Sequence, residues 1–133
     1  MNGLLDVSTS ALIANRIRFD AIAANLATAD VGGDPNGRVK PAPIREAVFS
    51  VGDPATGSSE GVHVSEIREI RSFAPRHEPW SPVADKNGDV WYPDTNPVEQ
   101  QANLMLAARS YEANIAAIEA TKSMISAALE MLA

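Results

Sequence analysis

Residues 96–133 read NPVEQQANLMLAARSYEANIAAIEATKSMISAALEMLA, with no glycine and, after Pro97, no proline. Asn96 is placed to accept a hydrogen bond from an unpaired N–H of the next turn. Pro97 suits the first helical position, and Glu99 completes an arrangement like a capping box. Beyond this start, Leu104, Tyr111, Ile118, Ile125 and Leu132 recur every seven residues, and Ala108, Ile115 and Leu129 widen the stripe at +4. A sustained seven-residue repeat keeps one face toward a neighbouring helix and predicts a left-handed supercoil. Nothing interrupts the pattern before Ala133, giving about 35 residues and ~50 Å. Globular helices average only ~11–12 residues, so a seam for another helix is the better reading.

The other end behaves alike. Residues 6–30 hold no glycine or proline, and Leu5, Leu12, Phe19 and Leu26 again repeat at seven. Ile22 adds to this stripe, and Ile13 with Ile17 forms a flanking one. The expectation is a helix of about 24 residues, ~36 Å long, started by Asp6 or Ser8 and stopped at Gly32-Gly33.

All nine prolines and seven of the eight glycines fall within residues 32–97. Residues 47–51, 61–64 and 89–92 look extended, Asn36-Gly37 and Asn87-Gly88 are turn dipeptides, and 52–61 has the composition of a flexible, change-tolerant loop. The apolar parity slips near Ser65, which calls for a bulge or a strand end there. The predicted fold is therefore α+β and mainly α. Long N- and C-terminal helices pair as a coiled-coil-like helical hairpin around a small, irregular, β-rich middle insert. In domain terms, residues 1–31 plus 97–133 form the helical part and 32–96 the insert.

Composition narrows the chemistry. The 133 residues carry 11 Lys+Arg against 17 Asp+Glu, a net charge of -6, which argues against binding a phosphate backbone. With no cysteine, disulfides and thiolate chemistry are excluded. His63 reads as a strand residue, and His77-Glu78 sits in a proline-bounded loop without a second ligand or nucleophile. Residues 85–89 mimic a calcium loop only superficially, since glycine stands fourth instead of sixth. Residues 32–37 are glycine-rich but follow a helix and lack the Lys-Ser/Thr of a phosphate loop. No catalytic, cofactor-binding or metal-binding constellation emerges. The start lacks a basic segment before an apolar run, so no cleaved secretory signal is expected. No stretch approaches the ~18 apolar residues of a membrane span, so a soluble chain without membrane insertion is expected.

Function must then lie in surfaces. A lone two-helix seam would be marginal against the entropy of ordering its residues. Second stripes (Ile13 and Ile17 at one end, Met124 and Met131 at the other) exceed what one partner helix covers. Lateral packing among copies or related subunits would satisfy them. A soluble coiled-coil adaptor or chaperone, binding one partner helix without polymerising, is the alternative.

Several motifs are familiar in this order. Ser10-Ala11-Leu12 leads to Ala23-Ala24-Asn25-Leu26-Ala27. Gly61-Val62-His63-Val64 opens a strand, and Pro79–Asp85 has the form Pro-x-x-Pro-x-Ala-Asp. Tyr92-Pro93 and Asn96-Pro97-Val98-Glu99 then lead to Arg109-Ser110-Tyr111-Glu112-Ala113-Asn114 and Lys122-Ser123-Met124. Together they resemble the axial proteins of the bacterial flagellum, most closely the proximal rod subunit family of the basal body. The resemblance covers roughly residues 5–31 and 44–132. It implies a non-enzymatic structural subunit without cofactors, exported through the flagellar type III apparatus without a cleaved signal. Such a subunit assembles with copies of itself and other rod proteins into the periplasmic drive shaft that transmits torque to the hook. The implied assembly surface comprises the stripe residues together with Asn25 and Asn114 of the motifs.

Overall fold

The structure is a computed structural model describing residues 2–54 and 57–132, with side chains from Leu5 onward apart from those of Ser58 and Leu132. Its elements run α1 (Asn2–Thr28), β1 (Ile44–Asp53), β2 (Ser58–Ile70), β3 (Phe73–His77), β4 (Asp89–Pro93) and α2 (Pro97–Leu132). Two terminal helices around a β-rich middle agree with the predicted class.

The α2 start behaves as its sequence demands. The Val98 N–H donates to Asn96 Oδ1 at 3.0 Å, and the Gln100 N–H donates to the Asn96 carbonyl at 3.0 Å. Pro97, lacking an N–H, leaves no donor stranded at the first position. The helix then spans 36 residues, ~54 Å. At the other end α1 begins at Asn2, upstream of the expected Asp6 or Ser8. With no breaker between Leu4 and Thr28, the helix simply propagates farther than a capping residue would suggest.

The middle holds two two-stranded sheets, β1–β2 and β3–β4. Residues 52–61, read as a loop, are mostly strand: β1 runs through Gly52 to Asp53 and β2 resumes at Ser58. The Gly57 N–H closes the turn on the Asp53 carbonyl at 2.9 Å, and residues 55–56 lie outside the described part. β2 continues through Ser65, so the parity slip is not a strand end. β3 is a second correction, since the loop expected around Pro75 and His77 pairs antiparallel with β4 from Phe73↔Pro93 to His77↔Asp89. Pro75 fits because it faces Trp91, whose N–H and C=O both turn the other way to Gly33, at 2.8 and 2.9 Å. No bond across that pair requires the N–H that proline lacks.

The described chain forms two compact units. One gathers Met1–Phe19, Ala47–Glu66 and Met105–Ala133; the other gathers Asp20–Glu46 and Ile67–Leu104. The first is closed around Ala14 and Ala107, and the second around Ala21, Ile22, Asn25 and Val90. Gly32 and Gly33 do more than stop α1. A Cβ on Gly32 would lie 2.4 Å from Val90 Cγ1, and one on Gly33 would lie 2.5 Å from the Val39 carbonyl oxygen. Only glycine lets this segment lie against β4.

Candidate assembly interface

Two polar residues of α1 tie strands to it. In the first unit, Ser10 Oγ accepts the Val62 N–H at 3.1 Å while donating to the Val7 carbonyl at 2.7 Å. In the second, Asn25 is 4% exposed and donates Nδ2–H to the Arg45 carbonyl at 2.8 Å. It also accepts the Arg45 N–H at Oδ1, at 2.7 Å. The anchoring role of Ser10 and Asn25 was not readable from the helical pattern, though a polar residue on an otherwise apolar face was the available signal.

Along α1, Leu5, Leu12 and Leu26 are half-buried and Phe19 is exposed. Ile22 and Asn25 are buried inside their unit. Along α2 the least exposed line runs Leu104, Ala107, Tyr111, Asn114, Ile118, Thr121, Ile125, Ala128. The alternating spacing of three and four is that of a coiled-coil seam. Tyr111 lies at its edge, just exposed, while Leu104, Asn114, Ile118 and Ile125 are half-buried. Of the residues expected to widen the stripe at +4, Ala108 is half-buried and Ile115 and Leu129 are exposed, while the line covered within the chain falls at +3. Its residues there, Ala107, Asn114, Thr121 and Ala128, are small enough for a neighbour to approach closely. Leu132 has its side chain outside the described residues.

A second line on α2 is exposed throughout: Leu106, Ala113, Ala117, Ala120, Met124, Ala127 and Met131, interrupted only by Ser110. It repeats the three-four spacing that a second seam would have. Only its methionines stood out in sequence, because alanine marks no face by itself. Among the described residues, eighteen large hydrophobic side chains are exposed, whereas the buried hydrophobic set is Ala14, Ala21, Ile22, Val90 and Ala107. Three of those five are alanines, so burial within the chain satisfies little of its apolar surface.

The polar groups make turns and surface contacts. Asp85 Oδ1 accepts the N–H groups of Asn87 at 2.7 Å and Asp89 at 3.0 Å, and Oδ2 accepts the Trp91 indole N–H at 3.4 Å. The Asp89 backbone bond above all, with those of Asn87 and Trp91, holds this carboxyl below its ordinary 3.8 against partial desolvation. The five-residue calcium-like stretch is therefore a turn whose first carboxylate is used by its own backbone. Partial burial, and then the Glu78 carboxylate accepting its hydrogen bond at 3.0 Å, raise the Tyr92 hydroxyl above its ordinary 10.0. Arg76 lies over the same ring, 4.4 Å from its centroid. His77 contacts Asp89 at 2.9 Å on the surface, and His63 Nδ1 contacts the Gly52 carbonyl at 2.7 Å. Among the described residues no three His, Asp or Glu side chains converge to hold a metal, and no helix is long and apolar enough to cross a membrane.

Comparison with known proteins gives the family. Residues 5–33 match the family model "Flagella basal body rod protein", and 87–131 match "Flagellar basal body rod FlgEFG protein C-terminal". The matched segments contain most of α1, the Gly32-Gly33 stop, β4 and nearly all of α2. The flagellar basal-body rod protein FlgC of Aquifex aeolicus is 38% identical over 95% of this chain and 92% of its own length. The Salmonella typhimurium relative of the same name is 40% identical over 92% and 90%. That of Bacillus subtilis is 34% identical over 96% and 95%. With relatives of 34–40% identity matching nearly end to end, the chain belongs to the FlgC family of flagellar basal-body rod proteins.

Proposed function

We propose that the terminal helices of this chain pair with one another as a coiled-coil-like hairpin and pack laterally against those of neighbouring subunits. By family, the chain is a structural, non-enzymatic subunit of the flagellar basal-body rod, located in the basal body. Within it, residues 1–31 plus 97–133 make the axial core and 32–96 the insert. Self-assembly and co-assembly with other rod proteins build the periplasmic shaft that transmits torque to the hook. The chain reaches that site through the flagellar type III apparatus, using an uncleaved N-terminal region.

The observation that carries this reading is the pair of seams on α2, one largely covered and one entirely exposed. A helix completed by a single partner needs one stripe; a helix in a filament wall needs several. Each compact unit also draws on both helices, as an antiparallel hairpin would require. An adaptor binding a single helix leaves the Leu106–Met131 line unexplained, and the comparisons give that alternative no support. Electron cryo-microscopy of intact basal bodies tests the proposal. The α2 helix should lie in the rod wall with both seams against other helices. Density for either seam facing solvent along its length would refute it.

A further inference from the structure

Residues 34–40 form a short, braced loop in the second unit. The Asp34 N–H donates to the Val39 carbonyl at 2.8 Å and the Gly37 N–H to the Asp34 carbonyl at 2.9 Å. Gly33, just before them, bonds Trp91 of β4 through both of its backbone groups. Arg38, Val39 and Lys40 are all exposed on this support, and little ordering cost remains on binding. Val39 is 50% exposed. Among the described residues it is the only exposed large hydrophobic side chain with a cation on each side of it in sequence. The one carboxylate of the loop, on Asp34, is turned onto the Asn36 N–H at 2.9 Å. Among the described residues no carboxylate pairs with Arg38 or Lys40. Arg45 is exposed farther along, and no acidic residue lies between Asp34 and Glu46. The segment therefore presents an apolar side chain between two cations.

Within the first unit lies a groove of about 600 Å³ between α1 and the β1–β2 hairpin. Ile13, Ile17 and Val62 give it an apolar floor, Asp6, Asp53 and Glu60 supply its charge, and no Lys or Arg lines it. We propose that the Arg38–Val39–Lys40 loop of one copy docks into this groove of a second copy. The Val39 methyls and the aliphatic stems of Arg38 and Lys40 cover Ile13, Ile17 and Val62, while the charged heads reach the carboxylates. Charge names the occupant. The exposed Trp80 loop, by contrast, carries Glu78, Asp85 and Asp89 against Lys86 alone, and like charge holds it away from an acidic lining. A knob and a hole on different parts of one chain form a heterologous contact, which propagates instead of closing. The contact adds to the helix packing of the rod reading and rests on that reading.

The chain has no cysteine, which makes the test direct. One tagged copy carries Val39→Cys and a second, differently tagged copy carries Ile13→Cys. Both are expressed together, and isolated basal bodies are oxidised. A disulfide-linked species bearing both tags is expected, at least tenfold above a control pairing Trp80→Cys with Ile13→Cys. Basal bodies that contain both copies but show only the control level overturn the docking while leaving rod membership intact. Basal bodies lacking the unsubstituted chain overturn the rod reading itself. Independently, Arg38→Glu with Lys40→Glu should lower incorporation at least tenfold, with unchanged thermal unfolding of the isolated chain. Adding Asp6→Lys and Glu60→Lys to the same chain should restore incorporation to within threefold, because every copy then carries exchanged charges on both sides of the contact. Normal incorporation of the first variant, or no recovery in the second, would also overturn the docking.

Discussion

The side-chain amide of Asn25 bonds both backbone groups of Arg45, giving Nδ2–H to the carbonyl at 2.8 Å and taking the N–H on Oδ1 at 2.7 Å. A helical side chain here does what a neighbouring strand would do, because an amide has the donor and acceptor of a peptide group at similar spacing. It fastens the first residues of β1 to α1, and the site is nearly closed to water. Replacing Asn25 by Ala leaves the Arg45 N–H and C=O without these partners. Urea unfolding should show a loss of about 1–3 kcal/mol. Asn25→Asp should cost more than Asn25→Ala, since its buried carboxylate keeps the N–H bond but points an acceptor oxygen at the Arg45 carbonyl oxygen.

Gly61 lies at φ +92°, and a Cβ there would stand 2.8 Å from Ser10 Oγ. Gly61→Ala should therefore destabilise the chain by more than the ~1 kcal/mol expected from backbone conformation alone. Gly57→Ala, at φ +70° with open space around it, should show only the backbone cost. Thermal unfolding of the two variants gives the comparison, and an equal effect would mean that Ser10 yields freely.

Asp85 gives a pH prediction with a definite sign. Its carboxyl titrates lower in the folded chain than the ordinary 3.8. The ionised form is thus favoured by folding, and its contribution is fully present above that value. It is lost as pH falls below about 3.8 toward the folded value. Asp85→Asn should flatten the pH dependence of the urea midpoint in this window while leaving its higher-pH slope unchanged.

The two seams of α2 should separate stability from assembly. Met124 is 65% exposed, so Met124→Asp should shift the unfolding free energy of the isolated chain by no more than ~0.5 kcal/mol. It should nevertheless prevent incorporation into basal bodies, because a buried unpaired charge costs several kcal/mol. Tyr111→Asp and Leu26→Asp should also abolish assembly, with some loss of chain stability from their partial cover. Motility in soft agar and immunoblots of basal-body fractions check all three.

His77 contacts Asp89 at the surface, and its side chain is 69% exposed. An exposed pair of this kind contributes ~0–1 kcal/mol, and a structural subunit asks no chemistry of it. His77→Ala should leave motility unchanged, measured as swimming speed.

Much of this protein is determined by local pattern. The cap at Asn96, the proline after it and the breaker-free run behind them locate α2 along the chain. The confinement of glycine and proline to residues 32–97 likewise locates the β-rich part between two helices. Family motifs in sequence order were enough to point to a flagellar rod subunit. Other features depend on residues that meet only in the folded chain. Whether α2 is covered at +3 or +4 depends on which neighbour lies beside it, since Ala107 and Ala108 look alike in sequence. β3 was hidden because proline argues against a strand until Trp91 is seen to bond Gly33 on its other side. Residues 52–61 looked like a loop because small polar composition does not reveal that Ser10 and Gly52 supply hydrogen-bond partners to Val62 and His63. Periodicity and caps act over a few residues and can be read directly along the chain. Cover, register and anchoring arise between residues tens of positions apart, and only the tertiary structure decided them.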